Sequence, residues 1–283
     1  MSMRIIPREV IVEKVADLCF KAAVDLPDDV YRAIKRAGER EESPIGKSIL
    51  VNLVKNADIA RQERVPICQD TGVAVYFVEI GTSVDMSQWD IYEVLEEATT
   101  LGYTRGYLRL SVARDPLEDR SNSKTNGPPV VHLKLVPGDK LKITLAPKGG
   151  GSENMSALAM LKPLAGKEGV INFVIDTVRK AGGNPCPPCI IGLGLGGNFE
   201  MAPFLAKKAL LREVGERHPN PYYAQFETEI LEKVNASGIG PGGLGGSTTA
   251  LDVHIETYPC HIASLPAAVN LNCHAARHAS IEI

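Results

Sequence analysis

The sequence predicts a mixed α/β fold of the α+β kind: a helical N-terminal part followed by β-sheet segments with interspersed helices. Three observations carry this. Apolar residues recur at helical spacing through the first hundred positions, strict alternation replaces that spacing near Val131, and Gly/Pro clusters punctuate the second half. Val10 to Lys21 is amphipathic. Pro27 to Ala37 opens with an Asp-rich first turn suited to the helix dipole, and Gly38 is its expected stop. A third helix is expected from Ser43-Pro44 through Ile49, Val51, Leu53 and Ile59, and another over Ser87 to Thr100 with Ile91, Val94 and Leu95 on one face. Between them, Val73 to Ile80 has the β-branched and aromatic content of a strand.

In the middle of the chain Val131, Leu133 and Leu135 alternate with His132 and Lys134. After Pro137-Gly138-Asp139 the pattern resumes with Leu141, Ile143 and Leu145, which predicts a β-hairpin. An apolar helix is expected near Met155 to Leu161 and another over Gly169 to Ala181. Ile190 to Leu195 is a short β-like run ending in Gly196-Gly197. Helices over Glu200 to Leu211 and Tyr222 to Val234 flank the break at Pro219-Asn220-Pro221, and Thr248 to Tyr258 reads as a strand. Strand order is not legible from this pattern.

Composition narrows the function. The 283 residues suffice for one large domain or two ordinary ones. A formal net charge of -3 leaves no basic stripe, which argues against nucleic acid as a partner. No run of eighteen apolar residues exists, so no membrane span is expected, and Met1 to Glu9 lacks the apolar h-region of a signal peptide. The chain is therefore expected to be cytoplasmic.

In that compartment its six cysteines are expected to bind metal, to catalyse or to be buried, rather than to form disulfides. Cys19 sits at helical spacing from Val12, Val15 and Ala16 and reads as core; Cys260 is also expected to be buried. Cys68, Cys186 and Cys273 differ, because each stands in a Gly/Pro/Asn-rich context: Pro66-Ile67-Cys68-Gln69-Asp70-Thr71-Gly72, Asn184-Pro185-Cys186-Pro187-Pro188 and Asn270-Leu271-Asn272-Cys273-His274. Thiolates presented on loops can converge on one metal centre, and three are one short of the four that close an iron–sulfur cluster. Cys186-Pro187-Pro188-Cys189 is formally a Cys-x-x-Cys pair, but a zinc ribbon needs a second pair and a redox pair opens a helix. The Pro-Pro step leaves room for one thiol to point inward and the other away.

Lys148-Gly149-Gly150-Gly151-Ser152 is neither a P-loop nor a dinucleotide fingerprint. It reads equally as a bland turn or as a cradle of backbone N–H groups for an anion, and so does Gly242-Gly243-Leu244-Gly245-Gly246. Gln69 and Asp70 abut Cys68, although an Asp before Thr-Gly is commonly a turn residue. Arg109 lies between Leu108 and Leu110, an unusual setting for a solvated arginine, and His261 follows Pro259-Cys260 near a strand end.

Taken together and in order, these segments resemble the class I, iron–sulfur-dependent fumarate hydratase and L(+)-tartrate dehydratase family, specifically its separate α subunit. The Cys68 heptapeptide resembles the first cluster motif, Lys148 to Asn154 the glycine signature, Cys186-Pro187-Pro188 the second cysteine motif and Asn272-Cys273-His274-Ala275-Ala276-Arg277 the third. Gly243-Leu244-Gly245-Gly246 and Leu251-Asp252-Val253 fill the interval between the last two. The resemblance implies that Cys68, Cys186 and Cys273, rather than Cys189, hold a [4Fe-4S] cluster with one iron lacking a protein ligand. That iron acts as a Lewis acid on the departing hydroxyl. It implies that Gln69, Asp70, Arg109, Gly150, Gly151 and His261 meet the substrate, with Asp70 a candidate for proton traffic and Arg109 gripping a carboxylate. The expected reaction is reversible hydration of fumarate to (S)-malate. L(+)-tartrate to oxaloacetate is the alternative, and a non-catalytic metal or redox module is a more distant one. Residues 1-283 then form one cluster-binding α-subunit domain. Single-chain members continue past the third cysteine into a second domain that supplies further site residues, so a β subunit in an α2β2 heterotetramer is expected, with the lone chain inactive.

Overall fold

Helical spacing at the start of the chain becomes α1 (Arg8–Val24), preceded by the two-residue β1 (Arg4–Ile5). The computed structural model describes residues 3–283; Met1 and Ser2, which open the stretch read for a leader, lie outside the described residues. Ile11, Val12, Val15, Leu18 and Cys19 form the buried face of α1, so Cys19 is core as expected. α2 (Asp28–Arg40) keeps Asp28 and Asp29 in its first turn but runs past its expected stop. Gly38 lies inside the helix, buried, with Leu50 of α3 (Pro44–Glu63) 3.5 Å from where its Cβ would be. Its missing side chain makes room for a neighbour and does not end the helix.

β2 (Val73–Gly81) and β3 (Val84–Asp85) precede α4 (Ile91–Arg105). Asp90 starts α4 by accepting the Tyr92 N–H at 2.7 Å, which moves the helix start four residues past Ser87. β4 (Val130–Val136), β5 (Leu141–Lys148), the single-turn α5 (Gly150–Glu153), β6 (Ala157–Leu161) and α6 (Gly166–Ala181) follow. The remainder is β7 (Cys189–Gly196), α7 (Met201–Ala209), α8 (Pro221–Asn235), β8 (Ala250–Tyr258), β9 (Leu265–Asn272) and β10 (Ala279–Glu282). Among the described residues no helix is long and apolar enough to cross a membrane.

The chain divides into two compact units. The first comprises the described residues up to Pro27, Ala57–Gly150 and Arg277–Ile283. Its sheet has the order β10-β5-β2-β4, with β1 and β3 a separate parallel pair. The expected hairpin is therefore corrected: β4 and β5 do not pair with each other, because β2 lies between them, parallel to β4 and antiparallel to β5. Burial explains the preference. β2 hides Ala74, Val75, Tyr76, Val78 and Ile80, and placing it centrally buries those side chains at about 1.5–3 kcal/mol for each large one. β4, which has no buried residue, takes the edge.

The second unit comprises Asp28–Asn56 and Gly151–Ala276, and its sheet has the order β6-β9-β7-β8. Here Met155 to Leu161 is corrected from helix to strand, since β6 pairs antiparallel with β9 from Ala157↔Val269 to Leu161↔Leu265. A five-residue apolar run fits either state, and the vacant edge of β9 decides. β7 is buried at every position; α7 packs on it, and residues of α6 and α8 share its hydrophobic core.

Candidate active site

The first cysteine motif is a short loop between α3 and β2, pinned at both ends. At its start Ile67 is buried and donates its N–H to the Ala23 carbonyl at 3.0 Å. At its end Gly72 has φ +80, and a Cβ there would lie 2.8 Å from backbone atoms of Lys148, so this position requires glycine. Between these points Cys68 is partly exposed and Gln69 exposed. The Asp70 carboxylate accepts the Gly72 N–H at 3.1 Å through Oδ1 and the Gly150 N–H at 2.8 Å through Oδ2. The glycine signature thus meets Asp70 directly, and one backbone donor that the resemblance assigns to substrate is bonded to that carboxylate. Thr71 Oγ1 donates to the Arg109 carbonyl at 2.9 Å, which sets Arg109 beside the loop with its side chain exposed.

The carbonyls of the same loop are also held. Arg277 Nη2 donates to Asp70 O at 2.8 Å, Tyr103 Oη to Thr71 O at 3.1 Å and Gly72 O at 3.0 Å, and Asn126 Nδ2 to Gly72 O at 3.1 Å. Burial pushes the Tyr103 phenol far above its ordinary value, so it stays a proton donor to these carbonyls.

In the second unit Cys186 is exposed, with φ 55. A side chain held in the left-handed region needs support from its surroundings, and such positions cluster at functional sites. Cys189, three residues on, is buried at the head of β7, so the two thiols of the Cys-x-x-Cys pair do part. The third motif meets the second within this unit: the His274 N–H and Nδ1 both donate to the Cys186 carbonyl, at 3.3 and 2.9 Å. Cys273 follows directly on Asn272, which pairs with Ile190 at the start of β7. The third motif therefore touches the Cys186 loop through His274.

The glycine-rich run after α8 supports the Cys186 loop. Gly242 donates to the Pro187 carbonyl at 2.9 Å. Gly243, at φ +74, has no room for a Cβ, which would fall 2.5 Å from the Gly183 Cα. Glu41, buried, holds the far end of this run by accepting the N–H groups of Ser247 and Thr248, and it also accepts that of Ser43. Burial works against the charged carboxylate, but the Ser247 and Ser43 amides and the neighbouring hydroxyls outweigh it and keep its pKa below the ordinary 4.5. A carboxylate of depressed pKa adds stability that is full above its ordinary value and lost as pH falls through the lowered one. Glu41→Gln is therefore expected to cost about 1–3 kcal/mol at neutral pH and to flatten the acid limb of the stability curve, measured by urea unfolding from pH 7 down to pH 3.

Other candidates sit elsewhere. Gly151 is exposed. His261 is exposed in the turn between β8 and β9, where its Nδ1 accepts the Ala263 N–H at 3.1 Å. Cys186 and Cys273 lie where β7 starts and β9 ends, whereas His261 lies beyond Tyr258, which pairs with the last residue of β7. The eight residues of β9 separate them, roughly 25 Å at ordinary strand rise, so this unit does not gather His261 with its two cysteines. Cys260 is exposed rather than buried, with its Sγ donating to the Ser264 carbonyl in the same turn at 3.3 Å.

All six cysteines are thiols, and of the four not buried, three are those of the loop motifs. Among the described residues no group of three His, Cys, Asp or Glu side chains closes around a single ion. Thiolates of a four-iron cube each bind a different iron, so that chemistry does not need sulfurs converging on one point. Each of the three loop-borne thiols is at least partly accessible, as a ligand to such a group has to be.

The profile of the family described as "Fumarate hydratase (Fumerase)" matches residues 12–282. A Methanocaldococcus jannaschii protein named "Putative L(+)-tartrate dehydratase subunit alpha" is 45% identical over 275 residues, covering 95% of this chain and 96% of the relative. Proteins named "L(+)-tartrate dehydratase subunit alpha" from Escherichia coli strain UTI89 and from Escherichia coli O157:H7 are 32% and 33% identical, each covering 96% of this chain and 90% of the relative. The chain belongs to the fumarate hydratase (Fumerase) family.

Proposed function

We propose that this chain is the α subunit of a hydro-lyase that removes water from, or adds it across, a small hydroxy-dicarboxylate skeleton. The observation that carries the reading is the pinned loop that presents Cys68, Gln69 and Asp70 together, with the Asp70 carboxylate fixed by two backbone amides. Cys68, Cys186 and Cys273 would hold a [4Fe-4S] cluster. Bound there, the cluster supplies a Lewis acid for the departing hydroxyl through the iron that lacks a protein ligand.

The rest is the work of side chains. Elimination takes a proton from the carbon beside one carboxylate and hydroxide from its neighbour, and Asp70 would hold or pass that proton. Its oxygens keep lone pairs beyond those used by Gly72 and Gly150. Arg109, exposed next to the loop, presents a planar fork to a substrate carboxylate, with Gln69 and the Gly150–Gly151 backbone close to Asp70 in sequence or contact. His261, which the resemblance assigns to the substrate, lies at the other end of its sheet from Cys186 and Cys273.

Two substrates suit the chemistry. Malate and fumarate are the reaction of the family's name, and L(+)-tartrate to oxaloacetate is that of the relatives' names. The 45% identity of the archaeal relative favours the second. Those relatives are named as alpha subunits, which supports a β subunit partner; the α2β2 arrangement is part of the same proposal. The test is anaerobic co-expression with that partner, assayed on malate, fumarate and both tartrates, with iron and zinc counted. Turnover by the iron-loaded complex and none by the lone chain is expected. Stoichiometric zinc without iron, or an iron-loaded complex inert on all four compounds, would overturn the proposal.

A further inference from the structure

Three successive carbonyls, those of Asp70, Thr71 and Gly72, each receive a hydrogen bond from a buried side chain. The donors come from separate parts of the first unit: Tyr103 from α4, Asn126 from the segment between α4 and β4, and Arg277 from the segment before β10. Their exposures are 1%, 0% and 3%. Carbonyls of an ordinary surface loop bond to water and let the loop move. Fixed side-chain donors on consecutive carbonyls remove that freedom.

Arg277 stands apart from the other two. Asn126 and Tyr103 cap their carbonyls as neutral groups, whereas Arg277 brings a buried charge whose Nε and Nη1 have no partner among the described residues. Burying a guanidinium with so few bonds is costly, and a carbonyl cap alone does not require it. The charge acts on the same loop: the Tyr103 phenol is pushed up by Asp70 and pulled down by Arg277, besides the larger effect of burial. Asp70 is consequently held at both ends, its carbonyl by a cation and its carboxylate by the Gly72 and Gly150 amides.

We propose that Arg277 is a positioning residue: with Tyr103 and Asn126 it fixes the backbone of Asp70-Thr71-Gly72, and so sets where Cys68, Gln69 and Asp70 present their side chains. The catalytic consequence rests on the hydro-lyase reading; the geometry does not. The test uses the full chain without iron first. In Arg277→Gln, amide hydrogen exchange over residues 68–72 is expected to speed by about tenfold or more, because a charge-assisted bond is lost at that loop alone. Alkylation of Cys68, followed by peptide mass spectrometry, is expected to change with it while that of Cys186 does not. Arg277→Lys, which keeps a charged donor, restores part of the protection, and Tyr103→Phe, which keeps the ring in the core, loosens the same five residues. In the iron-loaded complex, Arg277→Gln lowers kcat and leaves KM within about threefold, as a misplaced Asp70 requires.

Unchanged exchange over residues 68–72 in both Arg277→Gln and Tyr103→Phe would overturn the proposal, and so would faster exchange spread evenly over the chain. If the local exchange and alkylation changes occur but the wild-type complex turns over no dicarboxylate, positioning stands and the hydro-lyase reading falls. If the wild type is active and Arg277→Gln matches it in exchange and kcat, positioning falls and the reading stands.

Discussion

Replacing Cys186 with serine is expected to abolish iron loading and turnover, whereas replacing Cys189 leaves both in place. The two thiols are three residues apart and face opposite surroundings. Cys186 is exposed at φ 55 with its carbonyl held by His274, while Cys189 is buried at the head of β7 against the core of α6 and α8. A serine at 189 buries a hydroxyl in place of a thiol, which costs about 1–3 kcal/mol of stability and touches no accessible donor. Cys68→Ser and Cys273→Ser are expected to behave as Cys186→Ser. The measurements are iron per chain and the visible absorbance of anaerobically prepared complex. Iron lost from Cys189→Ser but kept by Cys186→Ser would reverse the ligand assignment.

The second large effect is expected at Asp70. Asparagine there keeps an oxygen that can accept the Gly150 N–H, so the loop and the iron content should be preserved while the ability to take or give a proton is lost. General acid–base groups contribute about 10²–10⁴-fold, and a fall of that size in kcat at near-constant KM is the expected result. A kcat within a few-fold of wild type, with iron intact, would move the proton-transferring role to another residue.

Much of this was legible in residue order, for identifiable reasons. The cysteine loops announce themselves because Pro, Gly and Asn interrupt both periodicities around Cys68, Cys186 and Cys273. Cys19 reads as core because its neighbours keep helical spacing. The Val131–Leu145 stretch misled because alternation and a turn identify two strands but not their neighbour, and β2, roughly sixty residues upstream, takes the place between them. β9 gave no signal, since a strand buried on both faces does not alternate. The supports of the Asp70 loop were the least visible. Tyr103, Asn126 and Arg277 lie 32, 54 and 207 residues from the carbonyls they hold, and no local pattern marks a side chain whose partner is so remote. Glu41 is the same case, an acidic residue after a helix whose role depends on amides 206 and 207 positions away.

The nesting of the two units in the chain has a consequence for synthesis on the ribosome. The segment Gly151–Ala276, the larger part of the second unit, is made in full before Arg277 and β10 emerge. Until then the first unit lacks the strand that flanks β5, and the turn carrying Cys68 lacks the guanidinium that fastens Asp70. A nascent chain can therefore complete the β6–β9 sheet early, whereas the turn bearing Cys68 reaches its final shape only once Arg277 and β10 have been made. The proposed cluster, offered before Arg277 has been made, would meet a Cys68 loop still in motion.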